Sequence, residues 1–288
     1  MTNTDPGAPE YEFDWQNPNS KTFDFGRTFS RTIDILKLKG LKMLILSLAL
    51  IGLPFFLISI WPMFLSGGLV DAFGTNDSDA IMDIFSGGLL IVIGLGGLIA
   101  FLASLWLQPA LIKISYGALI DEDIPMFSTL KNVTKFVLPV LGFFIIYIIG
   151  FLLGFLLLII PALFIGLGWM LGGHIIVLEG QGVTDSLSRS WQLTKGSKRW
   201  LLLLAIVFGV IGMIISVIIS IPIYFIADPN VAMLEGASTF YWLLNGFVSA
   251  ISQAVATIIG VAWSTSAYVE IRRIKEGVNP ESQIDVFN

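Results

Sequence analysis

Residues 136–178 read FVLPVLGFFIIYIIGFLLGFLLLIIPALFIGLGWMLGGHIIVL, without one charged side chain. As a single helix these 43 residues would extend about 65 Å at 1.5 Å per residue. A bilayer's hydrocarbon core is roughly 30 Å thick. Pro161 lies past the middle, and a proline inside a helix loses a hydrogen bond and presses on the carbonyl four residues back. The stretch therefore divides into two crossings, 136–159 and 162–178, joined by a tight hairpin. Four further charge-free stretches, 43–70, 84–112, 200–227 and 236–269, take one crossing each. The reading is an all-α, polytopic six-span transmembrane bundle, with spans near 43–62, 88–112, 136–159, 162–178, 200–221 and 240–268.

Charge placement tests that division, because cytoplasmic loops collect Lys and Arg. With six spans, all sixteen Lys and Arg fall on one side, before span one, between spans two and three, between four and five, and after six. The other side has Asp71, Asp77, Asp79, Asp83, Asp228 and Glu235. Were 136–178 one crossing, every cation from Arg189 onward would change sides. Both termini are therefore expected in the cytoplasm of a bacterial inner-membrane, multi-pass protein. Residues 1–22 are expected to be a disordered acidic tail, residues 23–276 the membrane domain, and residues 277–288 a second tail.

Bulk composition excludes several functions. Apolar residues make up 55% of the chain, charged ones 13%, and mean hydropathy is +0.85. A soluble domain carries roughly twice that charge. There is no Cys and a single His, so thiolate metal sites are excluded and histidine sites are disfavoured. The net charge of −5 gives no electrostatic basis for binding nucleic acid. No G-x-S-x-G, Walker or H-E-x-x-H motif occurs, nor a paired catalytic carboxylate. No catalytic residue, metal ligand or cofactor is assigned, and the protein is expected not to be an enzyme. The aspartates at 71–83 lack calcium-loop spacing and read as a solvated outer loop.

Phe25, Phe29, Ile33 and Leu36 recur at helical spacing ahead of span one, opposite Arg27, Arg31 and Asp34. Val183, Leu187, Trp191 and Thr194 repeat the stripe 158 residues later, and a weaker copy holds Ser128 and Lys135. Three interfacial amphipathic helices on the cytoplasmic face follow, with a candidate three-fold internal repeat. The run from Glu179 to Gly196, EGQGVTDSLSRSWQLTKG, resembles the hallmark of the glycerophosphoryl diester phosphodiesterase membrane domain and its YciC-like inner-membrane relatives, an uncharacterised family. Glu179, Ser186, Leu187, Arg189, Ser190, Trp191, Leu193, Thr194 and Gly196 carry the likeness, with Pro161 and Leu53–Pro54. The resemblance implies a six-span fold over about 24–276. It implies no activity, because the enzyme barrel of the fused members has no counterpart here.

Within the spans, His174 reads either as a proton relay or as a helix contact, the second being the simpler role. Glu179 is expected to pair with Arg189 or Lys195. Trp191 is expected to lie at headgroup depth. Span six carries Asn245, Ser252 and Gln253 on a polar face with Ser264, and span two carries Gln108 below Gly96, Ala100 and Ser104. These faces are either helix glue or a solvated path. Two functions compete. One is a non-catalytic membrane module that meets anionic lipid headgroups, a protein partner or its own copies through its basic face. The other is a carrier or channel for a small or lipidic substrate. Dry packing of span six on span two is expected under the first. A polar cavity of some 300 Å³ or more is expected under the second.

Overall fold

The computed structural model describes residues 22–60, 88–226 and 239–278. Residues 1–21 and 279–288 of the two expected tails, the aspartate loop at 71–83, Asp228 and Glu235 lie outside them. Among the described residues seven helices run in order: α1 (Phe25–Ile60), α2 (Gly88–Leu119), α3 (Met126–Leu157), α4 (Ile159–Glu179), α5 (Val183–Thr194), α6 (Lys198–Ile226) and α7 (Thr239–Glu276). Among the described residues there is no strand. All but α5 contain a segment long and apolar enough to cross a membrane. The chain is an all-α, multi-pass membrane protein.

The hairpin that decides the topology forms close to where the proline puts it. α3 ends at Leu157, Leu158 alone is extended, and α4 begins at Ile159. Pro161 thus sits in the first turn of α4, where its missing N–H has no intrahelical partner to lose. Small residues let the two helices touch. A Cβ on Gly154 would stand 2.9 Å from the Ala162 Cα, and one on Gly150 would run into the Trp169 ring.

The spans are longer than their charge-free stretches. α1 continues from the amphipathic segment through span one, and α3 likewise starts at Met126. Of the three amphipathic segments, α5 alone is a separate helix. A π turn at Leu48–Gly52, in which the Leu53 amide donates to the Leu48 carbonyl, precedes Pro54. Such a turn takes up the backbone that the proline ring would otherwise crowd.

α7 is the central post, packed along α1, α2 and α6. Its buried face runs from Gly246 through Ala254 and Ala262 to Arg273. Tyr268 on that face, and Leu107, Leu111, Leu171, Ile175 and Leu201 on the other helices, are fully buried. Exposed apolar side chains such as Leu152, Leu156 and Val217 suit a hydrocarbon surround. The stripe expected on α1 is rotated. Thr28, Thr32 and Ile35 are buried, while Phe25, Phe29, Ile33 and Leu36 are half-buried. Arg31, expected on the solvent face, reaches inward to a carboxylate on α7, and that demand turns the helix.

Candidate functional site

The last turns of α7 gather charge that the sequence reading treated only as a topology signal. Glu270 has no exposed surface. Its carboxylate accepts from Arg31 Nη1 at 3.0 Å, Arg273 Nη2 at 2.6 Å and the Asp24 amide at 3.2 Å. One turn on, Glu276 accepts from Arg272 Nε at 2.8 Å and from Arg189 Nη2. Glu179, at the end of α4, accepts from the Tyr268 hydroxyl at 2.8 Å and from Arg189 Nε at 3.2 Å. Burial works against the Arg189 charge, but its hydrogen bonds to Glu276 and Glu179 outweigh that and raise its pKa. The expected Glu179–Arg189 pair forms, and Lys195 takes no part in it. Removing one member of such a buried set costs about 3–5 kcal/mol, because its partners stay buried and uncompensated.

α5 docks on a break in α4. Met170 and Leu171 form a turn between the α-helical segment ending at Trp169 and the next turn at Gly172. The break needs side chains to satisfy its backbone. Ser190 Oγ donates to the Gly168 carbonyl at 2.8 Å and accepts from the Leu171 amide at 3.2 Å, and Thr194 Oγ1 donates to Gly168 at 3.2 Å. These bonds turn the buried face of α5 to Ser186, Leu187, Ser190, Leu193 and Thr194, correcting the expected stripe of Val183, Leu187, Trp191 and Thr194. Trp191 is 40% exposed. Its ring covers Gly168, and the Lys198 ammonium sits 3.4 Å from the ring centroid. The serine, threonine, arginine and tryptophan of the 179–196 motif are thus the clamp that holds α5 to the broken helix.

Beside that break lies a cavity of about 420 Å³ between α2, α3, α4 and α7. Ser104 and Gln108 line it from α2, His174 from α4, and Thr257, Gly260 and Ser264 from α7. Apolar walls come from Val140, Phe143, Phe144 and Tyr147 of α3. Pro109 also lines it, and a helix-interior proline leaves the carbonyl four residues back, here Leu105, without its amide donor. His174 is 5% exposed. Its Nε2 lies 3.2 Å from Thr265 Oγ1 and 3.4 Å from Ser264 Oγ, and its ring stacks on Tyr268. Its Nδ1 is buried with no hydrogen-bond partner. Ser47 Oγ, Ser252 Oγ and Trp242 Nε1 also lack partners, but none of these residues lines the cavity.

The structure therefore joins His174 and Gln108 in one cavity, and Glu179 with Arg189 in one ion network. Asn245, Ser252 and Gln253 are half-buried on α7 and outside the cavity. Of the small residues of span two expected to meet that face, Gly96 meets Ile58 of α1 instead, and Ser104 lines the cavity. The reason is that the N-terminal half of α7 packs on α1, where Gly246 meets Phe56 and Ile60. Sequence reasoning missed Glu270, Tyr268, Arg272 and Glu276. Their signal was the YVEIRRIKE run, whose alternating charges at spacings of three and four continue the helix beyond the span. No curated protein and no solved structure matches the chain. The family described as a domain of unknown function (DUF7847) matches residues 78–271, about two thirds of the sequence, and the chain belongs to that family.

Proposed function

We propose that this membrane protein is a non-catalytic binder of a small or lipidic ligand, held in the His174 cavity, and that the carrier reading is favoured over a purely structural module. The observation that carries this is a space of about 420 Å³ with apolar walls and a few polar groups, from Gln108, His174, Thr257 and Ser264, beside the buried, unpartnered Nδ1 of His174. A buried polar atom without a partner costs about 1–3 kcal/mol, and a turn of the His174 ring toward the cavity would let a ligand or ordered water relieve it. The volume lies within the range of small-molecule sites. The charged end is proposed to face the cytoplasm of a bacterial inner membrane, from the positive-inside pattern. Its lysines then meet anionic headgroups, each at about 1 kcal/mol, which keeps the lipid- or partner-binding module as the second reading. Kinship with the glycerophosphoryl diester phosphodiesterase membrane domain rests on the 179–196 motif and belongs with this proposal.

Gly260 supplies the test. It lines the cavity, and a Cβ added there meets nothing within 4 Å, so a Gly260→Leu side chain starts in open space and extends into the cavity. Native mass spectrometry of the full chain, released from its membrane, should show a retained small-molecule adduct that Gly260→Leu loses. Identical adduct patterns in the two proteins would contradict the proposal.

A further inference from the structure

Resting on the cavity reading, the geometry points to the ligand's chemistry: we infer that the cavity takes an amphiphilic anion, its charged group held between Lys113 and Lys135 and its apolar body inside.

The argument starts at the ring of Phe136. The Lys113 ammonium stands 5.1 Å from its centroid and the Lys135 ammonium 5.0 Å. Two like charges share one aromatic ring, although like charges close together repel. Among the described residues neither makes an ion pair with a carboxylate. Glu122 acts on Lys113 only through space, and more weakly than Lys135 does. The arrangement lacks an anion, in contrast to Glu179 and Glu276 nearby, which are matched by Arg189 and Arg272.

Helical spacing connects this pair to the cavity. Residues four apart lie one above the other on a helix face. Lys113 is therefore one turn from Pro109 on α2, and Phe136 is one turn from Val140 on α3. Pro109 and Val140 both line the cavity. The two lysines and their ring sit on the same two helices, just beyond the lining on the side of the charged end, Lys113 directly after Ile112. The lysines and Phe136 do not themselves line the cavity, whose nearest walls are Ile112 and Val140, and from those it extends past Phe143 and Phe144 toward Gln108 and His174. Gln108 is five residues from Lys113, about 8 Å along the helix. An anion at the lysines thus places an apolar body against the aromatic wall, with any polar group on that body within reach of Gln108 and His174. A small inorganic anion gains nothing from the aromatic wall, and a neutral amphiphile gains nothing from the lysines. The ligand class is a phosphate or carboxylate carried on a hydrocarbon body, either a lipid headgroup or a free amphiphile.

His174 is the chain's single histidine, so selective ¹⁵N-histidine labelling gives one reporter inside the cavity. The full chain in phosphatidylcholine nanodiscs is titrated with dodecyl phosphate, dodecanol and inorganic phosphate. Dodecyl phosphate should move the His174 resonances saturably. Dodecanol should bind at least tenfold more weakly, and inorganic phosphate should leave the resonances unmoved. Lys113→Gln with Lys135→Gln should weaken dodecyl phosphate roughly thirtyfold, about fivefold per lysine at the usual strength of an interfacial cation. Each single variant shows whether one lysine suffices to hold the anion. Phosphatidylglycerol added to the nanodiscs should compete if the natural anion is a headgroup, and should leave the titration unchanged if it is a free amphiphile. Binding that is saturable but equal for dodecanol, or equal in the double variant, would overturn the anion inference and leave the ligand cavity standing. No response to any amphiphile would overturn both.

Discussion

Two polar regions lie within a few turns of each other at the same end of this bundle, and they are finished differently. Around Glu270 and Glu276 no buried side-chain atom of the ion network lacks a partner. At the cavity wall, His174 Nδ1 has none, and Gly260 and Gly173 leave open space where a Cβ would fit. A saturated polar cluster specifies how helices meet. A polar space left unsaturated and unfilled is what a ligand site requires. The first pins α1, α4 and α5 to α7, and the second sits where α4 is broken and α5 has to brace it.

Breaking the saturated region should have the largest effect. Glu270→Ala leaves Arg31 and Arg273 without their shared carboxylate and should cost about 3–5 kcal/mol, read as a fall in the midpoint of unfolding in detergent. A near-neutral result would mean that the cluster does not hold the end together. Ser190→Ala comes next. It orphans the Leu171 amide while Thr194 still serves Gly168, at about 1–3 kcal/mol, and amide exchange should quicken around residue 171 before the rest of α4. Gly260→Leu should go the other way, neutral or stabilising by up to about 1 kcal/mol, since it fills space rather than breaking a contact.

The smallest effect belongs to the loop between α2 and α3. Asp123 accepts from Lys42 at 2.8 Å and Lys39 at 2.9 Å. Those two hydrogen bonds bring its carboxyl down from 3.8 to about 2. A lowered carboxyl stabilises the folded state above its unfolded pKa and loses that contribution as pH falls from near 4 through 2. A spin label beside Asp123 should therefore stay ordered down to pH 4 and loosen below it, and Asp123→Asn should show no such transition.

The spans were legible because hydropathy and the hairpin proline act locally, and because all the cations had to fall on one side. Interior facing was not legible. The stripes at 25–36 and 183–194 were assigned by hydrophobicity, but hydroxyls and arginines turned the helices. Thr28 and Thr32 on α1, and Ser190 and Thr194 on α5, spend their hydroxyls on backbone carbonyls, so they bury as readily as leucine. Glu270 could be buried because Arg31, 239 residues away, comes to meet it, and no local pattern carries that pairing. His174 and Gln108 were picked singly from their polarity. That they share one cavity depends on the α4 break, which its own sequence does not announce.

The contrast between the two regions comes down to whether the cavity is reachable. In this cysteine-free chain, Thr257→Cys places a thiol on the cavity wall, and Ala254→Cys places one on the fully buried face of the same helix one turn away. Reaction with a small water-soluble methanethiosulfonate in intact membranes measures access at each. Thr257→Cys should react at least tenfold faster than Ala254→Cys and be protected by dodecyl phosphate. Equal, slow reaction at both positions would show a dry, closed bundle and contradict the account.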